Sequence, residues 1–242
     1  MPIQTLKPAQ KFQSLDQEYF KRRERFAEKH KDAGFWFIAD NWPLFAGQVN
    51  IARFLAIYDL AKKAAELPGH FCELGCWNGT NLLFLAKIVG LLRPQGLTEV
   101  FGFDSFEGLK NLEGGKDPKA AGTRGRYKGD LELLRESLEL HGLSESVRVI
   151  KGDIEKTLPA FLEERKDVRF SFVYFDTDLY PSTKQGIELL FPRLLRGGVM
   201  VFDEYNMADW PGETSAVHDA LKNVKLLGVP GTRQPTAYLV KE

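Results

Sequence analysis

From residue 71 onward the sequence alternates short apolar runs with segments of helical periodicity. The runs are rich in β-branched and aromatic residues, which is typical of strands buried on both faces of a sheet. They occupy residues 71–74, 100–103, 147–150, 170–175 and 199–202, and helices are predicted between them at 80–92, 129–141, 156–166 and 181–195. Because strand–helix–strand units cross over with one hand, this alternation predicts a mostly parallel sheet with helices on both faces.

The two ends of the sequence depart from this alternation. After a helix at 213–222, strand-like runs at 224–229 and 237–240 flank a Pro- and Gly-containing turn, which predicts a C-terminal antiparallel hairpin and a seven-stranded sheet. Helices are also predicted before the first strand, at 15–32 and 49–66. We therefore expect a helical N-terminal extension over residues 1–66, packed on an α/β domain over residues 67–242.

Charge and composition exclude several classes of protein. Lys plus Arg and Asp plus Glu both number 33, so no global positive field would attract nucleic acid. No apolar stretch is long enough to span a membrane, and the N-terminus lacks the apolar core of a signal peptide. Cys72 and Cys76 have no nearby His or Cys cluster and are interpreted as reduced core side chains. A cytoplasmic protein that binds neither nucleic acid nor membrane is expected.

The turn after the first predicted strand carries the first candidate binding residues. A ligand in a doubly wound sheet lies beyond the carboxyl ends of the strands. A dinucleotide fingerprint has glycine where this turn has Trp77, whose side chain should obstruct a pyrophosphate. Glu73 would repel phosphate but attract an ammonium or sulfonium group. The turn therefore favours a nucleoside without phosphates, held by Glu73, Gly75, Trp77, Gly79 and Thr80.

Acidic residues also follow the second and third predicted strands. A carboxylate at Asp104 can accept hydrogen bonds from both ribose hydroxyls, with Ser105 beside it, and Asp153 is placed to face an adenine amino group. Either acid alone could simply cap the following turn or helix. Acids at three successive strand ends favour nucleoside binding over that alternative.

Four carboxylates follow the fourth and fifth predicted strands: Asp176, Asp178, Asp203 and Glu204. Neighbouring strand ends would bring them into one small region, where like charges raise one another's pKa unless a cation offsets them. Hard oxygen ligands without His or Cys suit Mg²⁺, Ca²⁺ or Mn²⁺. The alternative is that these acids cap helices or lie exposed at loop tips.

Three motifs resemble the macrocin O-methyltransferase family of class I S-adenosylmethionine-dependent methyltransferases. They are ELGCWNGT from residue 73, DSFEGL from residue 104 and FDTDLYPSTK from residue 175, within a similar region of about residues 71–221. The resemblance implies a Rossmann-like class I methyltransferase fold. It also implies an S-adenosylmethionine-dependent O-methyltransferase that acts on a sugar hydroxyl of a glycosylated natural product.

The resemblance assigns roles to individual residues. Glu73, Gly75 and Gly79 would contact the methionine part of the cofactor, Asp104 its ribose, and Asp153 its adenine. Asp176 would lie against the cofactor and, with Asp203 and Glu204, would bind Mg²⁺, while Asp178 would be the general base. The family usually has two aspartates after the fifth strand, so Glu204 is a departure that puts the metal geometry in question.

The mechanism implied is transfer of the sulfonium methyl group to an acceptor hydroxyl that Mg²⁺ orients and Asp178 deprotonates. An acceptor with adjacent hydroxyls, such as a deoxysugar diol or a catechol, would suit this arrangement. Two alternatives stay open: a non-catalytic S-adenosylmethionine-binding module, and a metal-independent methyltransferase. A homo-oligomer is expected. The Gly-rich segment 105–128 is predicted to be a lid, and the aromatic segment 35–45 either a lid, an interface or plain packing.

Overall fold

A seven-stranded mixed sheet forms the core of the α/β part of the chain, as seen in a computed structural model that describes residues 13–110, 115–117 and 124–242, with side chains from residue 17. Its strand order is β3-β2-β1-β4-β5-β7-β6. The first five strands are parallel to one another, whereas β7 runs antiparallel to β5 and β6. The predicted seven-stranded, mostly parallel sheet is confirmed. Its strands are β1 (His70–Leu74), β2 (Val100–Asp104), β3 (Val147–Lys151), β4 (Phe170–Phe175), β5 (Leu194–Phe202), β6 (Leu227–Gly228) and β7 (Ala237–Val240).

Helices cover both faces of this sheet. One buried apolar cluster contains side chains of α4, α5 and α6, and a second contains side chains of α7, α8 and α9. The helices of the described residues are α1 (Gln13–Lys29), α2 (Phe35–Asp40), α3 (Trp42–Phe45), α4 (Gln48–Ala64), α5 (Thr80–Leu92), α6 (Leu131–Leu140), α7 (Ile154–Glu164), α8 (Tyr180–Leu190) and α9 (Pro211–Ala220).

Strand β4 shows why the apolar runs become central strands. All six of its residues are buried. Phe172 and Tyr174 point into the first cluster, while Val173 and Phe175 point into the second. Full burial of a Phe or Val side chain contributes about 1.5–3 kcal/mol, so a strand that is largely apolar on both faces is stable only between two layers of helix.

The largest differences from the predicted bounds occur around β5, which begins at Leu194 and not at residue 199, and at the C-terminal hairpin. The helix predicted at 181–195 ends at Leu190, because Pro192 lacks the N–H that would continue the helix and β5 begins at Leu194. Lys241 Nζ binds the carbonyl oxygens of Phe191 at 2.8 Å and Leu194 at 2.7 Å, which satisfies groups left free at this junction. The strand predicted at 224–229 is reduced to Leu227–Gly228, the two residues that pair with β7.

The chain divides into two compact units, Met1–Gly47 and Gln48–Glu242. Helix α4 lies in the larger unit, where Ile57, Leu60 and Ala64 join the first buried cluster. The sequence pattern had predicted a division after residue 66, which would place α4 in the N-terminal extension. In the smaller unit the rings of Phe26 and Phe37 pack against Phe45.

No helix among the described residues is both long and apolar enough to cross a membrane.

Candidate active site at the carboxyl ends of the strands

Glu73 is a buried acid near the end of β1, with only 1% of its surface exposed. Its Oε1 accepts a hydrogen bond of 2.7 Å from Asn81 Nδ2, while Oε2 has no hydrogen-bond partner among the described residues. Burial raises the pKa of Glu73 to about 8, against the opposing effect of the Asn81 hydrogen bond. A buried carboxylate oxygen without a donor is a suitable partner for a cationic ligand.

The turn after β1 lies directly against the end of β4. Gly75 has φ +88°, and a Cβ there would collide with the carbonyl oxygen of Asp176. Gly79, also at positive φ, immediately precedes α5, and Thr80 is the first, exposed residue of that helix. The absence of a side chain at Gly75 therefore lets the β1 turn and the end of β4 approach each other closely.

Asp104 joins the ends of β1 and β2. Its Oδ2 accepts from the backbone N–H of Trp77 at 2.8 Å, and its Oδ1 accepts from that of Phe106 at 2.6 Å. Trp77 adopts φ +47° to make this contact, and its side chain is 37% exposed. Ser105 Oγ accepts from the backbone N–H of Glu107 at 3.1 Å. The structure thus brings Asp104, Trp77 and Ser105 together with the β1 turn.

Asp153 caps helix α7. Its side chain accepts from the backbone N–H of Glu155 at 3.1 Å. This is the capping role that the sequence analysis weighed as an alternative. Its contact with adenine stays a prediction, because capping leaves carboxylate lone pairs available.

The carboxylates after β4 and β5 meet, as the sequence predicted. One oxygen each of Asp176, Asp178 and Glu204 lies within 4.8 Å of the other two, which is a suitable spacing for one metal ion. Asp178 reaches this position with φ +60°, a strained conformation for a residue other than glycine. Glu204 Oε2 is buried and has no hydrogen-bond partner among the described residues. These hard oxygen donors fit Mg²⁺.

Asp203, the remaining predicted ligand, is held by other partners. Arg53, on α4, donates from Nη1 to Asp203 Oδ2 at 2.9 Å and from Nη2 to Asp176 Oδ2 at 3.1 Å. The Tyr174 hydroxyl donates to Asp203 Oδ1. A guanidinium group therefore lies between two of the three predicted metal ligands.

A second buried acid supports Glu204. The backbone N–H of Glu204 donates to Glu213 Oε1 at 2.8 Å, and Gln234 Nε2 donates to Glu204 Oε1 at 2.9 Å. Glu213 is fully buried in the first turn of α9. Its other oxygen, Oε2, lacks a hydrogen-bond partner within the described parts of the chain.

Burial controls the proton affinity of this cluster. It is the largest cause of the raised pKa of Asp176, Asp178, Glu204 and Glu213, followed by repulsion from neighbouring carboxylates. Arg53 opposes the increase at Asp176. A group of acids that resist ionisation together is a site that favours either protons or a cation.

Four residues that contact the carboxylate cluster were not predicted from the sequence: Arg53, Tyr174, Glu213 and Gln234. The spacing of charged and apolar residues could have indicated two of them. Arg53 lies four residues before Ile57, on the apolar stripe of α4, and Glu213 lies four residues before the buried Val217 of α9. A charge on the buried stripe of an amphipathic helix needs a buried partner.

The predicted lid segment 105–128 is described only in part; residues 111–114 and 118–123 lie outside the described residues. Leu109 and Arg126 are joined through a backbone hydrogen bond of 2.9 Å. Asp117 accepts from the backbone N–H of Tyr180 at 3.1 Å, at the first turn of α8. The ring of Tyr127 packs edge-on against Trp77, beside the candidate site. Motion of this segment stays a prediction.

Comparison with known families identifies the group to which this site belongs. The sequence matches the family described as Macrocin-O-methyltransferase (TylF) over residues 4–229. The chain belongs to this family. Membership confirms the resemblance inferred from the three motifs around the strand ends.

Two curated members of the macrocin O-methyltransferase family match part of the chain. An 8-demethyl-8-(2,3-dimethoxy-alpha-L-rhamnosyl)-tetracenomycin-C 4'-O-methyltransferase of Streptomyces olivaceus is 34% identical over 166 residues, which cover 64% of this chain and 59% of the relative. Mycinamicin III 3''-O-methyltransferase of Micromonospora griseorubida is 27% identical over 161 residues, covering 63% of this chain and 60% of the relative. The matched stretches thus span about three fifths of either relative.

Solved structures match more of the chain. CalS11, a calicheamicin methyltransferase, is similar with a TM-score of 0.83 and 26% identity, covering 92% of both chains. The O-methyltransferase NovP is similar with a TM-score of 0.66 and 22% identity, covering 79% of this chain and 80% of NovP. The fold is therefore the Rossmann-like class I methyltransferase fold, as predicted.

Proposed function

We propose that this member of the macrocin O-methyltransferase family is an S-adenosylmethionine-dependent O-methyltransferase acting on a sugar hydroxyl of a glycosylated small molecule. The observation that carries the proposal is the group of Asp176, Asp178 and Glu204 beside the turn after β1. A rhamnosyl group occurs in the name of the tetracenomycin relative, and CalS11 is described as a TDP-rhamnose 3'-O-methyltransferase. We therefore propose a deoxysugar with adjacent hydroxyls as the acceptor.

The residues around β1 and β2 fit the methyl donor. Glu73 Oε2, which is buried and has no hydrogen-bond partner in the described parts of the chain, would accept from the ammonium group of the methionine part. Asp104 keeps lone pairs for the ribose hydroxyls while it orients the Trp77 and Phe106 backbone. Gly75 allows the turn after β1 to lie directly against the backbone of Asp176, which a Cβ would meet. S-adenosylmethionine supplies the activated methyl group.

The residues after β4 and β5 would orient and deprotonate the acceptor. Asp178, one of the three acids whose oxygens lie within 4.8 Å of one another, would take the proton from the attacking hydroxyl when a nearby cation keeps its carboxylate ionised. Asp176, Asp203 and Glu204 are the proposed ligands of a Mg²⁺ ion, which when bound supplies a positive charge that favours ionisation of the hydroxyl. Glu213 and Gln234 fix the backbone and side chain of Glu204.

Methyl transfer without a metal is the second candidate, and Arg53 is the observation that favours it. Its guanidinium already contributes a positive charge at Asp176 and Asp203. In that case Arg53 would stabilise the carboxylates, and Asp178 would act alone as the base.

The test measures transfer of a labelled methyl group from S-adenosylmethionine to a rhamnoside with free adjacent hydroxyls. We expect turnover that EDTA abolishes and Mg²⁺ restores. We also expect Asp178→Asn to lower kcat on the order of 10²–10⁴-fold while S-adenosylhomocysteine still raises the melting temperature. Asp209→Asn, a change outside this carboxylate cluster, serves as the matched control.

The outcomes separate the candidates. Full turnover by metal-free enzyme would favour the second candidate. Tight binding of S-adenosylhomocysteine with no transfer to a panel of diols would favour a non-catalytic binding module. Absence of any stabilisation by S-adenosylhomocysteine would contradict both forms of methyltransferase.

A further inference from the structure

Arg53 is the cation that the described structure places inside the carboxylate cluster. Its side chain is 19% exposed, and that of its partner Asp203 is 2% exposed. The helix that carries it is fixed, because Ile57 and Leu60, one and two turns further along α4, are buried in the first cluster. Arginine keeps its charge at every pH at which proteins fold. The positive charge therefore stays at this place unless the side chain itself moves.

The guanidinium contacts the same groups that a divalent ion would use. It binds one oxygen of Asp176, a residue that also lies in the group suited to a metal ion. It also holds Asp203, which the family resemblance makes a ligand. A single positive charge several ångströms from a divalent ion in a partly buried site repels it by an amount that changes affinity many-fold.

The same contacts have a second effect when no divalent ion is bound. Asp176 and Asp203 repel each other, and this repulsion contributes to the raised pKa of Asp176. Arg53 offsets it through two ion pairs of 3.1 and 2.8 Å. The arginine thus stabilises the arrangement of the ligands and at the same time occupies part of the space between them.

We propose that Arg53 is a positioning residue that competes with the divalent cation for Asp176 and Asp203, so that it preserves the metal-free site and lowers the affinity for metal. The proposal rests on the proposed function only in that a divalent cation binds this cluster. It is independent of the acceptor and of methyl transfer.

The experiment compares Mn²⁺ affinity, measured by electron paramagnetic resonance, in the intact protein and in Arg53→Gln. We expect the variant to bind Mn²⁺ about tenfold more tightly or better, because a like charge is removed. In EDTA we expect its melting temperature to fall, since Asp176 and Asp203 lose their partner. A residue that merely held the fold together would lower stability and metal affinity together.

Arg165→Gln is the matched control. Arg165 also contacts two carboxylates, Glu99 and Asp167, and its side chain is 21% exposed, but it lies between α7 and β4, at the amino ends of the strands and away from the carboxylate cluster. We expect Arg165→Gln to leave Mn²⁺ affinity unchanged. Arg53→Lys keeps the charge without the two-pronged contact, and we expect its affinity to lie between those of the wild type and Arg53→Gln.

Mn²⁺ binding that is weaker or unchanged in Arg53→Gln would overturn the proposal, as would the absence of Mn²⁺ binding in both proteins. If Arg53→Gln cannot be obtained folded, Arg53→Lys decides, and binding no tighter than wild type contradicts competition. Each of these results is compatible with metal-independent methyl transfer, so failure here is distinguishable from failure of the proposed function.

Discussion

At the scale of single residues, the properties of each acid at the strand ends depend on which donors reach it. Both oxygens of Asp104 accept from backbone N–H groups, whereas one oxygen of Glu73 accepts from Asn81 and the other has no partner among the described residues. The positions of these acids could be predicted from the strand pattern. Their partners could not, because Arg53 and Asp203 are 150 positions apart and meet only in the fold.

Glu73 leads to a prediction about stability and pH. Its pKa of about 8 in the folded, ligand-free protein exceeds the ordinary value near 4.3, so the folded state holds this proton more strongly than the unfolded chain. The contribution of Glu73 to stability is therefore complete below about pH 4 and is lost as the pH rises through about 8. Relative to Glu73→Gln, we expect the wild type to lose up to about 1.4 kcal/mol per pH unit in this window.

Urea unfolding of both proteins between about pH 5 and about pH 9 measures this difference, because this range covers most of the interval between the pKa of Glu73 in the unfolded chain and its pKa in the folded protein. Asp167→Asn is a suitable control, since the pKa of that exposed acid is lowered by Arg165 and its effect has the opposite sign. A wild type that gains stability over Glu73→Gln as the pH rises would contradict a protonated Glu73.

At the scale of elements, strand positions follow from composition, while element ends depend on tertiary contacts. The runs predicted for β1 to β4 match the strands to within about one residue, because strands buried on both faces are rich in apolar residues, whereas β5 begins at Leu194, earlier than the predicted residue 199. The end of α8 was predicted too late although Pro192 stops the helix; the contact of Lys241 with the carbonyl oxygen of Phe191, which satisfies this junction, could not be predicted because it forms only in the fold.

The turn between β1 and α5 gives a prediction about packing. Gly75→Ala places a methyl group against the Asp176 carbonyl and forces φ +88° on a residue with a Cβ. We expect a loss of stability on the order of 2–4 kcal/mol, together with weaker binding of S-adenosylhomocysteine. Thermal unfolding with and without that ligand measures both effects.

Gly90→Ala is the matched control for this change. Gly90 lies near the end of α5, and no heavy atom lies within 4 Å of the position a Cβ would take. We expect this substitution to stabilise the protein by up to about 1 kcal/mol, because alanine is the better helix former. Equal effects of the two substitutions would argue against close approach at Gly75.

At the scale of the whole molecule, helix α4 is the element that decides where the larger unit begins. It buries Ala56, Ile57, Leu60, Ala61 and Ala64. The sequence pattern predicted the helix but assigned it to an extension over residues 1–66, because an amphipathic stripe does not reveal which surface will cover it. Its charged residue Arg53 contacts Asp203 and Asp176, so α4 contributes both to the buried apolar cluster and to the carboxylate cluster.

Truncation distinguishes the two boundaries. We expect a fragment of residues 48–242 to unfold cooperatively and to bind S-adenosylhomocysteine. We expect a fragment of residues 67–242 to lose on the order of 5 kcal/mol or more through the missing apolar contacts of α4, which is comparable to the whole stability of many domains. Urea unfolding followed by circular dichroism measures this, and two equally stable fragments would place the boundary at residue 66 instead.

Strand β7 lies between β5 and β6 in the sheet, although it is synthesised after both of them. The ribosome synthesises β6 before β7. In the described sheet, β6 pairs with β7 alone, and β7 pairs with β5 along its other edge. Until residues 237–240 emerge from the exit tunnel, the nascent chain exposes the backbone edge of β5, a strand whose last five residues are buried in the finished fold. An open apolar edge invites pairing with other chains. Translation that stalls within the last few codons before β7 should therefore produce an aggregating species, even though nearly all of the site's residues have already been synthesised.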